Sequence, residues 1–67
     1  MNSTHKDGIY RGDYGIVYFV HDGRVIMRHL GSYYKTSTHF LFGKWDKELN
    51  EGIISTFNDA YESAPKW

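Results

Sequence analysis

Four histidines, His5, His21, His29 and His39, are the side chains of this 67-residue chain best suited to metal or proton chemistry. Zinc sites place two such donors at a short, fixed interval, and these spacings match no zinc pattern. Cysteine is absent, so no thiolate can complete a site. The chain is expected to hold no metal and no other cofactor. Nucleophilic catalysis needs a hydroxyl beside a base that a third group orients. Serines and histidines are present without such a motif, and the phosphate loop G-x-x-x-x-G-K-[ST] is missing. The expectation is a protein that binds and is not an enzyme.

Two sets of residues could carry recognition. The first is cationic and aromatic: Arg11, Phe19, His21, Arg24, Arg28, Tyr33, Tyr34 and Lys35. Lys and Arg neutralise phosphates, and aromatic rings stack on bases. The second is acidic: Glu48, Glu51, Asp59 and Glu62. Such a face could contact a basic site on another protein, as a small acidic protein does when it occupies a nucleic-acid channel. The two sets divide along the chain. Residues 1–44 hold six basic and three acidic residues, and residues 45–67 hold two basic and five acidic. The formal net charge is zero, whereas dedicated nucleic-acid modules are basic.

The elements that must position these residues begin with a hairpin. Tyr14–Val20 is rich in β-branched and aromatic residues and reads as a strand. Asp22-Gly23 suits a two-residue type I′ turn. That turn pairs His21 with Arg24, Val20 with Val25, Phe19 with Ile26 and Tyr18 with Met27. Alternation then gives two apolar faces. One carries Tyr14, Ile16, Tyr18, Val20, Val25, Met27 and His29. The other carries Val17, Phe19, His21, Arg24, Ile26, Arg28 and Leu30. The first has no obligate charge and is assigned to the core. The second holds two arginines, which are rarely buried unpaired, and is assigned to a partner.

A third strand is expected near Thr38–Phe42. The intervening GSYYKTS could be a loop, or the second strand could extend through Tyr34. A further short strand at Ile9–Arg11 is weakly indicated. Residues 46–63 read as a helix, with Leu49, Ile53, Ile54, Phe57, Ala60, Tyr61 and Ala64 on one arc and the acidic residues opposite. Asp46 is the expected N-cap, and Asn50 is an alternative for a shorter helix. Leu49, Ile53, Phe57 and Tyr61 should seal the uncharged sheet face. The expected fold is therefore α+β: a three-stranded antiparallel sheet followed by one C-terminal helix packed on one face.

Sixty-seven residues form one small domain, which buries only about 60% of its unfolded surface. Residues 1–8 are polar and read as a flexible tail without a signal-peptide core. No stretch is long enough to span a bilayer. The lack of cysteine suits a reducing cytoplasm. A homodimer could close the open sheet face.

Three short pieces carry a family resemblance: Tyr10-Arg11-Gly12, Gly43-Lys44-Trp45-Asp46, and Ala60-Tyr61 with Ala64. In these the chain resembles the ethylene-response-factor type of DNA-binding domain and the related arm-site-binding domains of phage integrases. The resemblance covers about a third of the chain. It implies a three-stranded sheet that enters the DNA major groove, with Arg11 matching a contact residue by motif. Arg24 and Arg28 share only the sheet location. The leading expectation is DNA binding by the exposed sheet face. The alternative is a small inhibitor or adaptor of the mobile-element type, acting through the acidic helix face or the sheet.

Overall fold

Gly15, Gly23 and Gly31 recur every eight residues, and they set the frame of the sheet. Each has positive φ, and so does the residue before it: Tyr14 at 60°, Asp22 at 55° and Leu30 at 53°. Two consecutive positive φ values are what a type I′ hairpin turn requires, and its twist matches that of the strands it joins. The chain accordingly runs as a meander. A computed structural model, describing residues 5–67, contains β1 (Gly8–Gly12), β2 (Val17–His21), β3 (Arg24–His29), β4 (Ser32–Thr36) and β5 (Gly43–Lys47). A 3₁₀ turn (Thr38–Phe40) precedes β5, and one helix, α1 (Glu51–Ser63), follows it. The strands form one antiparallel sheet in the order β4-β3-β2-β1-β5.

The architecture is α+β with a C-terminal helix on an antiparallel sheet, as expected, but the sheet has five strands, not three. The weakly indicated strand at Ile9–Arg11 is β1, and the open connector holds β4. Thr38–Phe42 is not a strand: it is the 3₁₀ turn and its exit, and the strand begins at Gly43. The hairpin register is as read, with His21 opposite Arg24, Val20 opposite Val25, Phe19 opposite Ile26 and Tyr18 opposite Met27. The first strand starts at Val17, because Tyr14 and Gly15 form a turn closed by the Ile16 N–H on the Asp13 carbonyl at 3.1 Å. The helix is the shorter alternative. Asn50 is its cap, its Oδ1 accepting from the Ile53 N–H at 2.8 Å, while Asp46 lies in β5.

Of the tail expected at residues 1–8, residues 1–4 lie outside the described part. Lys6 and Asp7 contact the sheet: the Tyr10 hydroxyl donates to the Lys6 carbonyl at 2.7 Å, and the Trp45 Nε1–H to the Asp7 carbonyl at 3.2 Å. Gly8 opens β1, and a Cβ there would collide with the Trp45 indole.

The face assignment is reversed with respect to the helix. The face of Tyr10, Tyr18, Val20, Val25 and Met27 is indeed core, but Leu41 closes it, with Ile16 and Tyr34 at its margin. Strand order explains why. β4 and β5 are opposite edges, about 19 Å apart in a flat sheet, and the link also climbs roughly 15 Å along the strands. Residues 37–42, half of them in a 3₁₀ turn, reach about 20 Å at most. The sheet therefore curls, and the link drops Leu41 into the hollow. The other face, carrying Ile9, Phe19, His21 and Ile26, is the one α1 covers. Phe57 is its buried anchor, with its ring edge-on to His21 at 5.6 Å. Ile26 is 1% exposed, so that part of the face is closed by the chain's own residues. No helix among the described residues is long and apolar enough to cross a membrane.

A candidate interaction surface on the helix side of the sheet

Beyond the helix, the same sheet face continues as three levels along β2 and β3. The first is a groove between sheet and helix. Phe19, Ile26 and Tyr33 form its floor and Gly52, Ile53, Thr56, Phe57 and Ala60 its wall, enclosing about 370 Å³. Gly52 keeps that wall low. Its added Cβ would meet only Asn50 Oδ1 at 3.4 Å, an ordinary contact. Alanine would fit and, in the first turn of the helix, would favour it by less than about 1 kcal/mol. Nothing in the folding of α1 calls for glycine here.

The second level is a row across the sheet. Lys44 pairs with Arg11, Arg11 with Val17, Val17 with Arg28 and Arg28 with Tyr33. Lys44, Arg11 and Arg28 are exposed. Arg11 Nε donates to Asp46 Oδ2 at 3.2 Å, and exposure limits that ion pair to under about 1 kcal/mol. Arg28 and Lys44 have no ion-pair partner among the described residues.

The third level is the end of the sheet. Tyr14 and Leu30 stand at adjacent turn tips, 91% and 89% exposed, around a shallow depression floored by Val17 and Arg28. Phe42, 71% exposed, comes to the same end because Gly43 pairs with Gly12. Bulky residues with positive φ are outliers, costing roughly 1–2 kcal/mol each in the left-handed region. Here the strain falls on side chains that pack on almost nothing.

Of the residues expected to bind, Arg11, Phe19, Arg28 and Tyr33 lie on this surface. Phe19 lies in the groove under α1. The His21 Nδ1–H donates to Asp7 Oδ2 at 3.0 Å, and its ring rests on Phe57, away from the open part of the face. Arg24 and Lys35 are likewise engaged within the fold, both 5.2 Å from the Tyr61 ring centre. Tyr34 points to the opposite face, packing on the core and on Trp67 at 5.1 Å. Lys35 also bonds the chain end through backbone, its N–H to the Pro65 carbonyl and its carbonyl to the Trp67 N–H, which covers the β4 edge. The acidic alternative is fully displayed: Glu48, Glu51, Asp59 and Glu62 are all exposed, and none forms an ion pair among the described residues.

The opposite end of the sheet is closed. Asp7 accepts from His21, and it also accepts from the Asp22 backbone N–H at 3.2 Å. Burial, and secondarily the Asp7 carboxylate, hold the Tyr10 hydroxyl above the ordinary tyrosine pKa of 10.0. Lys6 Nζ sits 3.9 Å over the Trp45 ring. Among the described residues no three of His, Asp and Glu converge as a metal site would require.

Tyr14, Leu30, Phe42 and Lys44 were not singled out from the sequence. The signal for two of them was present in the eight-residue glycine spacing, which marks Leu30-Gly31 as a two-residue turn like Asp22-Gly23 and Tyr14-Gly15 as part of a three-residue one. No protein-family model, no curated protein and no solved structure matches the chain.

Proposed function

We propose that this chain is a small, non-catalytic binding module whose partner is another protein, of the inhibitor or adaptor kind. The carrying observation is the pair Tyr14 and Leu30: two large apolar side chains, about nine-tenths exposed, held at positive φ where the fold alone favours Asn or Asp. Exposed apolar groups gathered at one place mark interaction sites, and strain retained there is consistent with a role outside folding. A cysteine-free chain suits such work in the cytoplasm.

Nucleic-acid binding is the second reading, and the row Lys44, Arg11 and Arg28 favours it. Tyr14 and Phe42 beside that row could stack on unpaired bases. Entry of the sheet into a DNA groove is disfavoured, because α1 covers one face and Leu41 with its link the other. Leu30 contributes nothing to stacking, and the zero net charge gives little long-range attraction.

The experiment is affinity capture from cells that encode the protein, with and without nuclease, using the native chain and a Tyr14→Asn/Leu30→Asn double variant. A nuclease-resistant protein captured by the native chain and lost with the variant supports the reading. Capture that disappears with nuclease, or oligonucleotide binding that weakens steeply with salt, transfers the function to nucleic acid. Capture unaffected by the double variant removes this end of the sheet from the site and points to Glu48, Glu51, Asp59 and Glu62. Light scattering of the purified chain tests whether a second copy is the partner.

A further inference from the structure

The groove beside Gly52 and the turn tips belong to one face, with the cationic row between them. From Ile26 in the groove through Arg28 to the turn residue Leu30 at the tip is four residues, at most about 14 Å. Each level has a distinct chemistry. The groove is apolar and falls in the roughly 300–1,000 Å³ range of ligand pockets. The row offers Arg28 without an acidic partner among the described residues, and Arg11 with only an exposed one. The tip offers Leu30 and Tyr14.

The geometry points to a peptide segment of the protein partner as the occupant, with two large apolar side chains no more than about 14 Å apart and one or more carboxylates between them. One apolar side chain enters the groove at Gly52, the carboxylate meets Arg28 and Arg11, and the second apolar side chain lies on Tyr14 and Leu30. Gly52 leaves the rim of the groove open. The carboxylate of the segment complements Arg28, unpaired among the described residues, between the two apolar levels. The positive row selects the sign of the segment's charge, and the two apolar levels select its spacing. This inference rests on the protein-partner reading above and adds the chemistry of the partner.

The test is selection of a phage-displayed random dodecapeptide library on the full-length protein, followed by anisotropy of the labelled consensus peptide. The expected consensus has two large apolar residues separated by Asp or Glu. Its affinity should fall at least about tenfold with Gly52→Leu, which fills the groove, and by a similar factor with Arg28→Glu. Gly52→Ala, whose melting temperature should rise, checks that the position accepts a side chain without loss of fold. A consensus that is basic or lacks acidic residues, an affinity indifferent to Gly52→Leu, or no enrichment overturns the inference. Loss of affinity with Tyr14→Asn/Leu30→Asn but not with Gly52→Leu removes the groove while the protein-partner reading stands. Concentration-dependent dimerisation abolished by Gly52→Leu assigns the groove to a second copy and also overturns it.

Discussion

The two ends of the sheet use the same positive-φ backbone in their turns and opposite residues. At one end Asp22-Gly23 joins β2 to β3, and Asp7 accepts hydrogen bonds from His21 and from the Asp22 N–H. At the other, Tyr14-Gly15 and Leu30-Gly31 adopt the same positive φ values, and no side chain among the described residues accepts from the Tyr14 or Leu30 N–H. Aspartate tolerates that backbone because its short polar side chain can bond locally. Tyrosine and leucine have no such compensation, and each also exposes a large apolar surface. The first end is built as folding alone would build it. The second carries a cost that folding does not explain, and this is why the interaction surface is placed there.

The largest effect should come from the closed end. Phe57 is 3% exposed and holds α1 against His21. Phe57→Ala should destabilise by about 3–5 kcal/mol, most of the stability expected of a domain this small. Urea denaturation should show the variant largely unfolded, whereas an equal truncation of Leu30 should leave the midpoint unchanged or raised.

Next is the exchange of turn residues. Tyr14→Asn and Leu30→Asn create Asn-Gly turns and should together stabilise by about 2 kcal/mol, read as a higher melting temperature. A fall in stability would mean that Tyr14 and Leu30 serve the fold, and the contrast between the ends would collapse. The reciprocal change, Asp22→Tyr, should cost about 1–2 kcal/mol, since it imports the strain and leaves no gain at that end. A neutral outcome would show that bulky residues are tolerated at every turn of this sheet.

The smallest effect is electrostatic and marks the clasp at the closed end. Tyr10 has a folded-state pKa above 10.0, through burial first and Asp7 second. Its neutral form is therefore favoured by folding. Its contribution is fully present below about pH 10 and is lost as pH rises from there through the folded-state value. Tyr10→Phe should flatten that alkaline loss in a stability-versus-pH series. It should also cost about 1 kcal/mol at neutral pH, by leaving the Lys6 carbonyl without its donor.

Much of the local structure was legible in the residues. Asp22-Gly23 set the hairpin register, because a two-residue turn with positive φ at both positions leaves one pairing. The apolar arc from Leu49 to Ala64 marked a helix, read as starting at Asp46, while the alternative cap Asn50 is the one the fold uses. Strand β4 was hidden because SYYKT, with tyrosines adjacent, alternates poorly between faces. Strand β5 was hidden because GKWDK has a single apolar residue, and an edge strand can be almost wholly polar. The candidate site was legible only in part. Arg11, Phe19, Arg28 and Tyr33 were among the residues expected, whereas His21, Arg24 and Lys35, grouped with them, pack against α1.

By itself, the sequence determined the Asp22-Gly23 turn, two candidate caps, the absence of thiol chemistry and the existence of two apolar sheet faces. These depend on neighbours a few residues apart. Which face receives the helix was decided by tertiary structure. Both faces are apolar enough to be covered, and period-two alternation does not rank them. The choice followed from the link between the edge strands, which is too short to cross an uncurled sheet and so takes the inner face with Leu41. The helix was left with Phe19 and Ile26, Arg24 and Lys35 were drawn onto Tyr61, and Arg28, Tyr14 and Leu30 were left beyond its reach.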